Sequence, residues 1–99
     1  MLHIVNKSHL QTRSLLSCLR LAQPGQALLL TEDAVYAATP AGSASSGLVD
    51  ALHKLKVYAL QPDIEARGMA GKLLDGVTAI DYAGFVDLVA EHRTHQSWL

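Results

Sequence analysis

The sequence predicts an α/β fold of three layers (α/β/α), with helices on both faces of a small parallel sheet of four to five strands. Three observations predict it. Short apolar runs recur at Met1–Val5, Ala27–Leu30, Lys56–Leu60 and Val77–Ile80. Continuous rather than alternating apolar character marks strands buried on both faces. The stretches between them carry helical periodicity, and alternating strands and helices imply right-handed crossovers and a parallel sheet. No repeat or change of composition divides the 99 residues, so one domain spanning 1–99 is expected.

Taken in order, Met1–Val5 is the first strand, bounded by the polar Asn6-Lys7-Ser8. Ser8 is a candidate N-cap for a helix running to about Ala22. At about 100° per residue, Leu10, Leu15, Cys18, Leu19 and Ala22 share one face, with Arg13, Ser17 and Arg20 opposite. Pro24-Gly25 ends that helix. Ala27–Leu30 is the second strand. Thr31-Glu32-Asp33 follows as a loop, with Asp33 capping a short turn through Val35, Tyr36 and Ala37. Residues 39–47 hold Pro40, Gly42, Gly47 and three serines and read as a surface loop. Leu48–Leu55 is a weak helix and Lys56–Leu60 the third strand. Pro62 suits the first turn of a short helix that Gly68 closes. After the fourth strand, Asp81 caps a last helix on which Tyr82, Phe85, Val86, Val89 and His92 share a face. Gln96–Leu99 is expected as a brief final strand.

Composition narrows the function. Hydrophobic residues make up 49% of the chain and charged ones 17%. A domain of this size buries only about 60–70% of its unfolded surface. Part of the apolar supply is therefore expected on the outside, covered by other subunits. The eight Lys and Arg are scattered and the net charge is −1. Without a basic stripe, direct nucleic-acid binding is not expected. A single cysteine excludes an internal disulfide, and no long apolar run suggests a signal or a membrane span. The expected home is a reducing cytoplasm.

Few side chains offer chemistry. Cys18 is the one able to do sulfur chemistry, but it sits near the middle of an apolar face, away from the helix N-terminus that would favour a thiolate. Packing is the plain reading; a reactive role would need exposure and help from Arg20 or a partner. His92 and His95 stand at helical i, i+3 spacing without a third ligand nearby, so no metal and no cofactor is expected. Asn6-Lys7-Ser8 occupies the crevice that binds phosphate in doubly wound sheets, yet lacks a glycine. Glu32 and Asp33 end the second strand and either grip a partner's basic group or cap the following turn. Asp63 and Arg67 can pair at i, i+4. Trp98 is either an interface anchor or a pin for the tail.

Several segments together resemble the TusB/DsrH family of sulfur-relay subunits. They are Met1-Leu2-His3, Glu32-Asp33 with Val35, Val57-Tyr58-Ala59-Leu60, Asp63-Ile64-Glu65-Ala66-Arg67-Gly68, Ile80 through Leu88, and Trp98. The resemblance covers nearly the whole chain. It implies a DsrEFH-like fold and a heterohexamer with TusC/DsrF-like and TusD/DsrE-like subunits, two copies of each, with a homodimer open to the isolated chain. It implies that sulfur travels as a cysteine persulfide on the TusD/DsrE-type subunit, then to a TusE/DsrC-like acceptor, and in the Tus branch to 2-thiouridine at the tRNA wobble position. The chain would then be a non-catalytic subunit, with Glu32, Asp33, Arg67 and Trp98 meeting partners. Ser14 through Leu19 resembles the DsrH side, where a cysteine occurs at this place. That keeps Cys18 open as an accessory persulfide carrier and a role in dissimilatory sulfur oxidation as the alternative. A free-standing flavodoxin-like module for a small ligand is the alternative of a different class.

Overall fold

The computed structural model describes residues 1–98. Its elements are β1 (Leu2–Val5), α1 (Ser14–Leu21), β2 (Ala27–Leu30), a 3-10 helix (Glu32–Ala38), α2 (Pro40–Ser46), α3 (Leu48–Ala51), β3 (Lys56–Leu60), α4 (Gln61–Ala66), β4 (Val77–Ile80), α5 (Tyr82–Glu91) and β5 (His95–Trp98). The strands form one parallel sheet in the order β4-β3-β2-β1-β5. Leu2–Val5 pairs with Ala27–Leu30 on one side and with His95–Trp98 on the other. The predicted α/β/α fold with a parallel sheet is what forms.

The order decides the layers. From β1 to β4 the chain always steps the same way, so right-handed crossovers set α1, the 3-10 helix, α2, α3 and α4 on one face. The return from β4 to β5 reverses direction and carries α5 over the other face. The two cores agree. One joins Val5, Leu28, Leu30, Val57 and Ala59 to Leu15, Cys18, Val35, Leu48 and Ile64. The other is smaller: Leu2, Ala27 and Leu29 meet Leu88, with Ile4, Tyr58, Ile80, Phe85 and Val89 at its margin. β2 is buried at all four positions, as its unbroken Ala-Leu-Leu-Leu run requires of a central strand.

Five expectations need correction. The first helix starts at Ser14 rather than Ser8. Ser8 does cap, but it caps one isolated turn: its Oγ accepts the Leu10 N–H at 3.1 Å and its carbonyl accepts those of Gln11 and Thr12. Thr12 Oγ1 then accepts the Ser14 N–H. Local side-chain bonds outcompete the helix across Ser8–Arg13, and Leu10, expected inside, is 80% exposed. Residues 40–46 are a helix, not a loop. Thr39 Oγ1 accepts the Gly42 N–H at 3.1 Å, Pro40 occupies the first turn, and Gly47 ends it at φ 84°. Its serines are tolerated because Ser43 and Ser45 donate back to the Pro40 and Gly42 carbonyls. Gly42 marks a close approach, since a Cβ there would collide with the Tyr36 carbonyl oxygen. The helix after Gly47 ends at Ala51, short of Leu55. Asp33 caps nothing; its carboxylate is taken by Arg67. The last strand begins at His95, and Leu99, expected in it, lies outside the described residues.

Candidate functional site

Cys18 projects from the sheet-facing side of α1 into the larger core and is completely buried. Burial pushes its thiol up to about 12, against a smaller opposing pull from the positive charge of Lys54. Arg20 is exposed on the same helix. A thiol that attacks sulfur needs a thiolate population and an open path. In this fold Cys18 has neither, which is the geometry of a packing residue.

The carboxyl ends of β2 and β3 bring three of the other candidates together. Arg67 Nε donates to Asp33 Oδ1 at 3.0 Å, and its Nη2 lies 2.9 Å from the same oxygen. Its Nη1 donates to the Asp63 carbonyl at 3.2 Å and stands 3.9 Å from Asp63 Oδ1. The other Asp63 oxygen accepts the Glu32 backbone N–H at 2.7 Å. That bond holds Glu32 at φ 49°, a left-handed conformation costing a non-glycine residue about 1–3 kcal/mol. Asp33, Asp63 and Arg67 thus clamp the 3-10 helix to α4 and leave the Glu32 side chain exposed.

Trp98 stands apart from this cluster, on β5. Its indole N–H donates to His3 Nδ1 at 3.1 Å. His3 must then carry its proton on Nε2, which donates to Gln26 Oε1 at 2.7 Å. Gln26 Oε1 also accepts the Gln23 N–H. His3 is buried, so Trp98 ties the last strand to an interior chain of hydrogen bonds.

The sequence reading passed over His9. It lines a cleft of about 800 Å³ beside the segment after β1, with Leu10, Asp33, Tyr36, Gly42 and Ser45. Ser45 Oγ donates to the Gly42 carbonyl and so accepts from His9 Nε2–H at 2.8 Å. His9 Nδ1 is left as a buried acceptor without a partner among the described residues, as is Asn6 Oδ1. Burial lowers the His9 pKa and favours the neutral ring. No local signal could have exposed the pairing, because Ser45 reaches His9 only through α2. The pair is not a nucleophile and base: the Ser45 proton is spent on a carbonyl and Asp33 is committed to Arg67.

Among the described residues no group of three or more His, Cys, Asp or Glu could hold a metal. His92 Nδ1 donates to the Leu88 carbonyl at 2.8 Å, and His95 Nε2 to that of Val89 at 3.1 Å. Among those residues, too, no helix is long and apolar enough to cross a membrane.

Comparison with known proteins follows the same lines. Solved structures share the fold: the YchN protein of E. coli superimposes with a TM-score of 0.80 at 19% identity, covering 97% of each chain. A protein of unknown function from Methanobacterium thermoautotrophicum, MTH1491, gives a TM-score of 0.73 at 18% identity, over 97% of this chain and 95% of that one. Among curated sequences, the TusB proteins of Shigella flexneri and Serratia proteamaculans are each 38% identical over 98 residues, 99% of this chain and 100% of theirs. TusB of Salmonella dublin is 40% identical over 80 residues, 81% of this chain and 82% of its own. The model of the DsrH-like proteins matches residues 7–95. The chain belongs to the DsrH-like protein family.

Proposed function

We propose that this chain is a structural subunit of a cytoplasmic sulfur-relay complex that passes persulfide sulfur toward 2-thiouridine at the tRNA wobble position. The observation that carries the reading is the closed position of Cys18: the one sulfur in the chain able to carry a persulfide is buried and protonated. A family member without an accessible carrier contributes by holding others. Its partners in this reading are TusC/DsrF-like and TusD/DsrE-like subunits, with a TusE/DsrC-like protein as acceptor. Leu10, Leu21, Tyr82 and Val86, all 61–80% exposed, supply apolar surface for such contacts. Relatives named TusB at 37–40% identity favour the tRNA branch over sulfur oxidation.

Deleting the gene and measuring 2-thiouridine in total tRNA by nucleoside mass spectrometry tests the proposal. Thiolation falls on deletion and returns with the wild-type gene and with Cys18→Ala. Unchanged thiolation in the deletion strain refutes it, and failure of Cys18→Ala to restore thiolation refutes the purely structural role.

A further inference from the structure

One helix cannot close the α5 face of the sheet. Five strands about 4.8 Å apart make a face roughly 24 Å wide, whereas a helix with its side chains covers about 10 Å. The residues of α5 show the shortfall. Leu88 is buried, Phe85 and Val89 are half-buried, and Tyr82 and Val86 are 61% and 68% exposed. Positions 82, 85, 86 and 89 follow i, i+3, i+4, i+7, so they form one apolar stripe, of which the sheet uses only one side. Phe85, Val86 and Val89 line a shallow apolar groove.

Charge says what fills it. From Asp81 to Glu91 the segment carries three carboxylates and no lysine or arginine; the first cation is Arg93, beyond the helix. Among the described residues, neither Asp87 nor Glu91 has an ion pair. Glu91 also sits in the last turn, where the helix dipole disfavours an anion. Around the helix, Val86 is followed by Ala83 and Ala90 and then by Asp87 and Glu91. The small alanines permit close approach and the acids form its rim. A second α5 would set acid against acid, which destabilises a contact.

We propose that the stripe Tyr82–Phe85–Val86–Val89 docks an amphipathic helix of a different chain, one with an apolar stripe and a lysine- or arginine-bearing edge facing Asp87 and Glu91. The inference rests on the heteromeric reading above and adds to it a surface and a partner chemistry.

Two arms test it. In the first, the full chain is co-expressed with the TusC-like and TusD-like chains and complex formation is measured by analytical ultracentrifugation. Val86→Asp, or Tyr82→Ser as a second variant, weakens the complex at least tenfold with an unchanged melting profile, whereas Val49→Asp on α3 does not. Asp87→Lys with Glu91→Lys weakens it most at low salt. If the wild-type complex forms and the α5 variants leave it intact, the surface is misassigned while the subunit reading stands. In the second arm, the isolated full chain is titrated by fluorescence anisotropy with two synthetic helical peptides that share a leucine stripe and differ only in a lysine or glutamate edge. The lysine peptide binds at least tenfold more tightly, and Val86→Asp removes the binding. Equal or absent binding overturns the proposal whether or not the subunit reading holds. So does an isolated chain that dimerises through α5, a dimer that Val86→Asp would break.

Discussion

Alkylation of Cys18 puts the central geometric claim at risk. In the unfolded chain the thiol has its ordinary value of 9.0, so at pH 8 about one molecule in ten carries the reactive thiolate. In the fold, burial raises the value to about 12, and the fraction drops to about one in ten thousand. The thiolate population alone therefore slows reaction about a thousandfold. Access adds to this, because a side chain with no exposed surface reacts only when the surrounding structure opens. The measurement compares iodoacetamide labelling, read by intact mass, in buffer and in denaturing urea at pH 8. Native labelling at least a thousandfold slower is expected, accelerating with mild denaturant. A native rate equal to or above the unfolded rate would refute both the closed position and the structural role built on it. The same shift fixes a sign. The folded value lies above the unfolded one, so the contribution of Cys18 to stability is complete below pH 9 and is lost as pH rises toward 12.

Further outcomes follow from particular contacts. Gly42→Ala, which drives a Cβ into the Tyr36 carbonyl, costs about 1–3 kcal/mol, whereas Gly42 in an open loop would have gained stability; urea unfolding decides. Trp98→Phe leaves the buried His3 Nδ1 without its donor and costs about 1–3 kcal/mol, read as a fall in Tm; an unchanged Tm removes the anchor. Leu88→Ala costs about 2–5 kcal/mol through the cavity it leaves, and Val86→Ala, about half a turn away on the same helix but exposed, stays within about 0.5 kcal/mol. On the acid side the folded value of His9 lies below its ordinary 6.5, so its contribution is present above pH 6.5 and is lost as pH falls through the folded value. His9→Gln should flatten that limb of the stability profile, and an unaltered limb would assign it elsewhere.

The layers of this fold were legible because its central strands are continuous apolar runs. Ala27–Leu30 and Lys56–Leu60 form where their composition places them. Asp81 was legible too, since a cap needs only its own turn: its Oδ1 accepts the Gly84 N–H at 2.8 Å. What failed was the meaning of glycine, proline and serine together. In residues 39–47 they spell a loop by composition, yet Thr39, Pro40 and Gly47 stand at the positions that begin and end a helix. Composition averages over positions, and capping depends on them. The Asp33–Arg67 contact spans 34 residues and joins two elements that local periodicity treats separately. His9 was invisible for the same reason, since its partner Ser45 lies on the helix that composition spells as a loop. The face of α5 was half legible: the stripe of Tyr82, Phe85, Val86 and Val89 is real, but the helix is rolled so that Leu88 goes inward and Tyr82 and Val86 stay out.

The open side of α5 traces back to chain length between two edges. β4 and β5 are the outermost strands, so their connection must traverse the whole sheet within residues 81–94. A ten-residue helix such as α5 is about 15 Å long, and with its flanking turns it must both return the chain to the amino edge of the sheet and step between outer strands about 19 Å apart. Helix and flanking turns are consumed by the crossing, and no chain remains for a second helix beside the first. On the opposite face three separate connections each span only neighbouring strands, so helices accumulate there and seal the larger core around Cys18. The strand order that buries the cysteine is therefore also the order that leaves α5 without a neighbour. Lengthening the β4–β5 connection by a helix-forming insert after Glu91 should then raise Tm by covering Ile4 and Tyr58, which are half-buried now. If such an insert packs but leaves Tm unchanged, the exposed stripe is not a deficit of the fold, and the topological account of it fails.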